Sequence, residues 1–386
     1  MQDQDIYDLA REVLGGITDD LNSGIYAGLG GELAVRFSAS RKDGAFASSR
    51  GAVSEPPQHS VTFEYWFVKQ LWLDSEGFCL FLRAIPVGTD VDKLYDQFTD
   101  KSKLPEIFTS DEQTKNLFLA ALTWIYFHEI GHLVQEHREV RRAAIHSKED
   151  DIHIHEFHAS ADEPLIGYAS VVSHTTELAA DFEATTLVLQ ELVRHILEED
   201  FVPEAERADV FGGLFYLMVC AQALVFHRFN GRLVRTTSEV PHGSHPDPLT
   251  RLEINVPHMF EVLDQGSIRE SVNHQLDRAQ LVAVSAKACL SASLYWSITH
   301  TEERQFNEEF LVKGLLTKPE TLRYLQPIVK CWDDISPKIQ KNRRFGSPLG
   351  LLSFNKIFRE RIEKVIPWGE GPEDETPPLI QIAFRA

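Results

Sequence analysis

Apolar residues recur at helical spacing from Leu117 through Ala121 and Trp124, and His128 and His132 continue the same stripe towards Arg141. Ser110 with Gln113 fits a capping box at the start, with acidic residues in the first turn; basic residues around Arg141 predict the other end. A second strong helical pattern covers Ser173 to Glu199. A third segment, "FGGLFYLMVCAQALVF" (Phe211–Phe226), is almost free of charge. It falls short of the roughly 18–20 clean apolar residues of a membrane span, and Asp209 and Arg228 flank it, so it reads as a buried core helix.

The rest of the chain is less sharply patterned. The opening "MQDQDIYDLAREVLGG" is an acidic amphipathic helix without the basic and apolar regions of a signal peptide. The Gly/Ser-rich stretch from Ser38 to Pro57 reads as a surface segment. The aromatic-rich stretch His59–Ile85 fits a strand or a buried helix, with a helix favoured through Tyr65–Trp72. A Pro-rich turn, "SEVPHGSHPDPLTR", leads into another helix, and residues 276–366 are again mainly helical. The expected fold is therefore mainly α. Its expected divisions are an N-terminal region (1–105), a core (106–265), a C-terminal helical region (266–367) and a tail (368–386).

Composition narrows the partners. With 43% hydrophobic and 25% charged residues the 386-residue chain has an ordinary globular balance. Its net charge of -20 leaves no basic surplus to displace the counterions of a nucleic acid or to dock on anionic lipid. Neither nucleic acid nor membrane is an expected partner. Cys79, Cys220, Cys289 and Cys331 show no ligand spacing and sit in apolar stretches. Buried free thiols, and hence a cytoplasmic location, are expected.

The stretch "WIYFHEIGHLVQEH" (Trp124–His137) carries chemistry. On a helix, His128 and His132 project from one face about a turn apart, so two neutral imidazoles can share one Zn2+. Glu129 lies beside them, placed to move a proton to or from an attacking water without ligating the metal. Gly131 costs roughly 1 kcal/mol against alanine in mid-helix, which predicts the close approach of another element. A satisfied pair of core histidines is the bland alternative. "HEFH" (His155–His158) has the wrong spacing. Gln135 and Arg138 stand where a metzincin would need glycine and histidine, so a third ligand has to come from elsewhere.

"ELAAD" (Glu177–Asp181) supplies it: Glu177 and Asp181 share a helical face, separated by small residues that permit close packing. Three protein ligands (His128, His132, Glu177) leave a fourth position for water, as in a catalytic zinc site. Asp181 is then placed to hold the free N–H of a ligand imidazole. HExxH followed by ExxAD resembles the gluzincin clan of metallopeptidases, most closely its HtpX-like and CAAX-processing family, and "HPDPLTR" (His245–Arg251) matches that family's third motif. The resemblance spans roughly residues 110–260. It implies a zincin-like core with additional helices, His245 as a donor to the oxyanion, and Arg251 paired with a site carboxylate. Those relatives are mostly membrane-embedded or exported, unlike the reading of this chain. Size, solubility and HExxH also resemble the Lit-like phage-exclusion peptidases.

The expectation is a zinc-dependent endopeptidase acting on a cytosolic protein or peptide, latent until an activating protein partner opens it. The competing reading is a catalytically silent, zinc-stabilised interaction module. The long His-rich loop Ser147–Gly167, with His153, His155 and His158, joins the two ligand-bearing helices and is expected to border the cleft.

Overall fold

The computed structural model describes residues 1–40, 44–145, 154–155, 165–198, 206–230, 240–266, 277–300 and 318–365, with the single residues 203 and 268. In chain order they form helix α1 (Asp3–Leu21), strands β1 (Glu32–Ser38), β2 (Ala45–Arg50) and β3 (Gln58–Glu64), then α2 (Tyr65–Ala84), α3 (Ser110–Val134) and α4 (His137–Ile145). The two-residue strand β4 (Ile154–His155) follows, and then α5 (Gly167–Glu198), α6 (Arg207–Asn230), α7 (Pro248–Leu263), α8 (Arg278–Thr299), α9 (Pro319–Asn342) and α10 (Lys356–Glu363). The fold is mainly α, as the periodicity predicts.

The small sheet has the order β1-β3-β2-β4. β3 runs parallel to β1, with Val35 opposite Val61, and antiparallel to β2, with Ala47 opposite Val61. The Gly/Ser-rich stretch is thus more than a surface segment: it contains β2, whose Ala45 and Ala47 are buried. "QHSVTFE" forms β3, buried on both faces from His59 to Glu64, and β3 passes directly into α2 at Tyr65. Both readings of this aromatic-rich stretch therefore hold, one after the other.

α3 is the central element and packs against α2, α5, α6 and β2. From Ala121 to Val134 every residue is buried, and Glu129 is the one acidic or basic residue of that stretch besides the two histidines. Two features differ from the expectation. The cap is Thr109 with Glu112, one residue before Ser110 and Gln113: Glu112 Oε2 accepts from the Thr109 backbone N–H at 2.8 Å. The helix also ends at Val134 instead of continuing to Arg141. Gln135 caps it, Glu136 takes a left-handed conformation (φ 52°), and α4 starts at His137 in a new direction.

α6, the nearly charge-free segment, lies in the core against α3, α7 and α8. By length and composition α3, α6 and α8 are each apolar enough to cross a membrane; here most of each apolar span is buried inside the fold. All four cysteines are free and buried.

Candidate metal centre

α3 and α5 pack so closely that Gly131 has no room for a side chain. A Cβ there would lie 3.0 Å from the Ala180 carbonyl oxygen and 3.2 Å from Glu183 Cβ. This approach sets the two motifs face to face. His128 and His132 turn their Nε2 atoms towards each other, 3.0 Å apart. Glu177 reaches both, with Oε2 3.3 Å from His128 Nε2 and Oε1 3.4 Å from His132 Nε2. All three side chains are fully buried.

The donor set fits a metal ion. Tetrahedral ligands about 2.0–2.1 Å from zinc stand roughly 3.3 Å from one another, close to the separations found here. Among the described residues Glu177 Oε2 is buried and has no well-formed hydrogen bond, its nearest polar neighbour of the cluster being His128 Nε2 at 3.3 Å, as suits an atom facing a cation. Burial and charge also favour the metal-binding protonation states of His132 and Glu177. Burial lowers His132 to about 4, only partly offset by Glu177, so its ring is neutral near pH 7. Burial pushes the Glu177 carboxyl up, but His132, His245 and Arg141 outweigh it and hold the group well below the usual carboxylate range.

The outer atoms of these side chains are held in turn. His128 Nδ1 lies 2.8 Å from Asp181 Oδ1. Arg251, itself buried, clamps Asp181 with Nε 2.9 Å from Oδ2 and Nη2 2.6 Å from Oδ1. Its guanidinium also lies over the Phe226 ring and 3.7 Å from Glu177 Oε2. Glu129, between the ligand histidines in sequence, is completely buried. His245 lies at the edge: Nε2 is 3.9 Å from Glu177 Oε1, Nδ1 is 2.7 Å from Ser244 Oγ, and its side chain remains 21% exposed. The following helix is capped by Asp247, whose Oδ1 accepts from the Thr250 N–H.

Several site residues escape the motif reading. Arg141 from α4 donates to Glu177 Oε1 and Thr176 Oγ1. His137 places Nδ1 2.8 Å from His132 Nδ1, and its Nε2 lies 3.2 Å from Gln135 Oε1. Burial holds His137 well below the usual histidine range. The third histidine is visible in "HEIGHLVQEH", but on one unbroken helix it would sit on another face from His132. Only the break at Gln135–Glu136 turns it back. His174, one turn before Glu177, lies 2.7 Å from the Tyr324 hydroxyl. The loop histidines His153 and His158 lie outside the described residues; His155 lies in β4, opposite Phe46.

The family model described as Peptidase U49 matches residues 89–268, slightly less than half of the chain. That stretch contains His128, Glu129, His132, Glu177, Asp181, His245 and Arg251. It is a peptidase family of the Lit-like kind, the second of the two resemblances seen in the sequence. No curated protein and no solved structure matches the chain. The family match and the buried His128–His132–Glu177 cluster together indicate a peptidase with a site able to hold a metal ion.

Proposed function

We propose that this chain is a zinc-dependent endopeptidase of the gluzincin type, with His128, His132 and Glu177 as ligands. The observation that carries the reading is the convergence of these three buried groups from two helices onto one point. Zinc bound there supplies Lewis acidity, polarising the scissile carbonyl and making water a better nucleophile near neutral pH. Glu129 takes the proton from the attacking water and passes it to the leaving amine. His245 donates to the carbonyl oxygen as it gains charge. Asp181 accepts the Nδ1–H of His128 and so keeps its Nε2 lone pair turned inwards, while Arg251 holds Asp181 in place.

The burial of His128, Glu129, His132 and Glu177 supports latency, since their side chains are closed off from solvent while that of His245 is partly exposed. An activating protein partner then opens the cleft. Four buried free thiols fit a reducing cytoplasm, and the substrate is a protein or peptide of that compartment.

Metal content and proteolysis of the wild type, measured beside Glu129→Gln, test the reading. Zinc in both proteins, with cleavage of a proteome extract by the wild type only, is the expected result. Zinc in both and cleavage by neither, even with a host or phage extract added as a source of activator, would leave the silent interaction module as the better description.

A further inference from the structure

The buried polar contacts around His132 continue outwards in one unbroken line. Gln135, which caps α3, directs Nε2 to Glu183 Oε2 at 2.9 Å, to the Ala179 carbonyl at 3.2 Å and to the Gly350 carbonyl at 3.4 Å. Arg343, just past α9, binds both oxygens of Glu183 through Nη2, at 2.7 and 2.5 Å. Gln135, His137 and Glu183 are completely buried. The neighbouring Arg344 donates its backbone N–H to the Val134 carbonyl at 3.1 Å and its Nε to Glu136 Oε1 at 2.7 Å. The chain is pressed against this line: a Cβ at Gly346 or Gly350 would stand 2.7 or 2.6 Å from Glu183 Oε1.

We propose that the segment Arg343–Gly350 is a positioning strap that fixes the tautomer and orientation of the ligand His132 through Glu183, Gln135 and His137. The inference rests on the metal-site reading above. Its logic is the sequence of donors and acceptors. Arg343 can only donate, so Glu183 accepts from it and stays an acceptor for Gln135. The amide nitrogen of Gln135 therefore faces Glu183, and its oxygen faces His137. The His137 Nε2 carries the proton that this oxygen accepts, which leaves Nδ1 with a lone pair. The His132 Nδ1 must then be the protonated one, and its Nε2 presents a lone pair to His128 and Glu177. Burial raises the Glu183 carboxyl while Arg343 opposes it. Removing Arg343 thus removes the charge that keeps the Gln135 amide turned. The strap lies outside residues 89–268 and acts on a ligand inside them.

Zinc affinity of the folded protein, read by competition with a chromophoric chelator, tests this without measuring activity. Gln135→Leu and Arg343→Met are each expected to weaken zinc binding about 10- to 100-fold. The double variant is expected to lose no more than the worse single, because both break the same line. Arg343→Lys should recover part of the loss. Arg359→Met, which breaks an exposed pair with Asp333 on the neighbouring C-terminal helices, should bind zinc like the wild type. Wild-type affinity in folded Arg343→Met, or losses that simply add, would overturn the proposal and leave the strap a stability element. Should either variant fail to fold, Gln135→Glu takes its place: it keeps the acceptor for His137, lacks the donor to Glu183, and must still weaken zinc. A wild type that binds no zinc would overturn the metal-site reading itself, and the strap with it.

Discussion

At His128 and His132 one ring nitrogen of each faces the other, and the second nitrogen of each is already engaged, by Asp181 and by His137. A pair so arranged has little to bind except a cation. His128→Ala, His132→Ala and Glu177→Ala should each remove most of the zinc, because two remaining ligands hold it poorly. Full occupancy in Glu177→Ala would withdraw that residue and turn attention to His174. The role of His245 is tested by His245→Phe, which keeps the volume and removes the donor. If its bond forms mainly in the transition state, kcat per folded, zinc-loaded molecule falls roughly 100- to 1000-fold with KM little changed. An unchanged kcat would confine His245 to shaping the turn before α7.

Between elements, the decisive contact is that of α3 with α5. Alanine at Gly131 would improve helix propensity by about 1 kcal/mol, yet its Cβ would meet the Ala180 backbone at 3.0 and 3.1 Å. Neither helix can move without disturbing the ligands it carries. Gly131→Ala is therefore expected to cost about 1–3 kcal/mol net, as overpacking does, and to weaken zinc binding. A thermal midpoint at or above that of the wild type, with zinc retained, would show that the helices have slack. Much of this interface is legible in the sequence, since the glycine between the histidines and the small residues of "ELAAD" both announce a close approach. The break after Val134 is not. It depends on Glu136 holding a left-handed conformation against Arg344, a residue more than two hundred positions away.

Across the whole molecule, histidines recur as buried neutral groups. Burial lowers His59 and His174 to about 3, and His227 and His258 to about 4. Each folded-state value lies below the ordinary value near 6.5. The unfolded chain therefore binds more protons between these limits, and stability rises with pH through that window. The metal-free protein should keep its full stability above about pH 6.5 and lose it progressively towards pH 4. His227→Asn should make the fall shallower by one group's share, as measured by thermal midpoints against pH. A profile equally steep in His227→Asn would mean that this imidazole protonates without unfolding.

The sequence by itself determined the three candidate ligands that the fold brings together, the helices that carry them and the mainly α class. These rest on short-range regularities: the turn of a helix puts residues four apart on one side, and a three-residue spacing of polar groups marks its start. It also pointed to metal chemistry at HExxH, because two imidazoles four apart on a helix can share one ion. Tertiary structure decided everything that depends on where separate segments meet. The "HPDPLTR" and "ELAAD" patterns alone cannot say which carboxylate Arg251 clamps, that Arg141 from α4 lands on Glu177, or that Gln135 links His137 to Glu183 and Arg343. Arg141, Gln135 and Arg343 would each read as a solvated surface group in sequence, and Arg251 is tied to a site carboxylate only by the family resemblance. Each becomes part of the centre because packing removes its water, and the opposite charge or the missing donor takes that water's place.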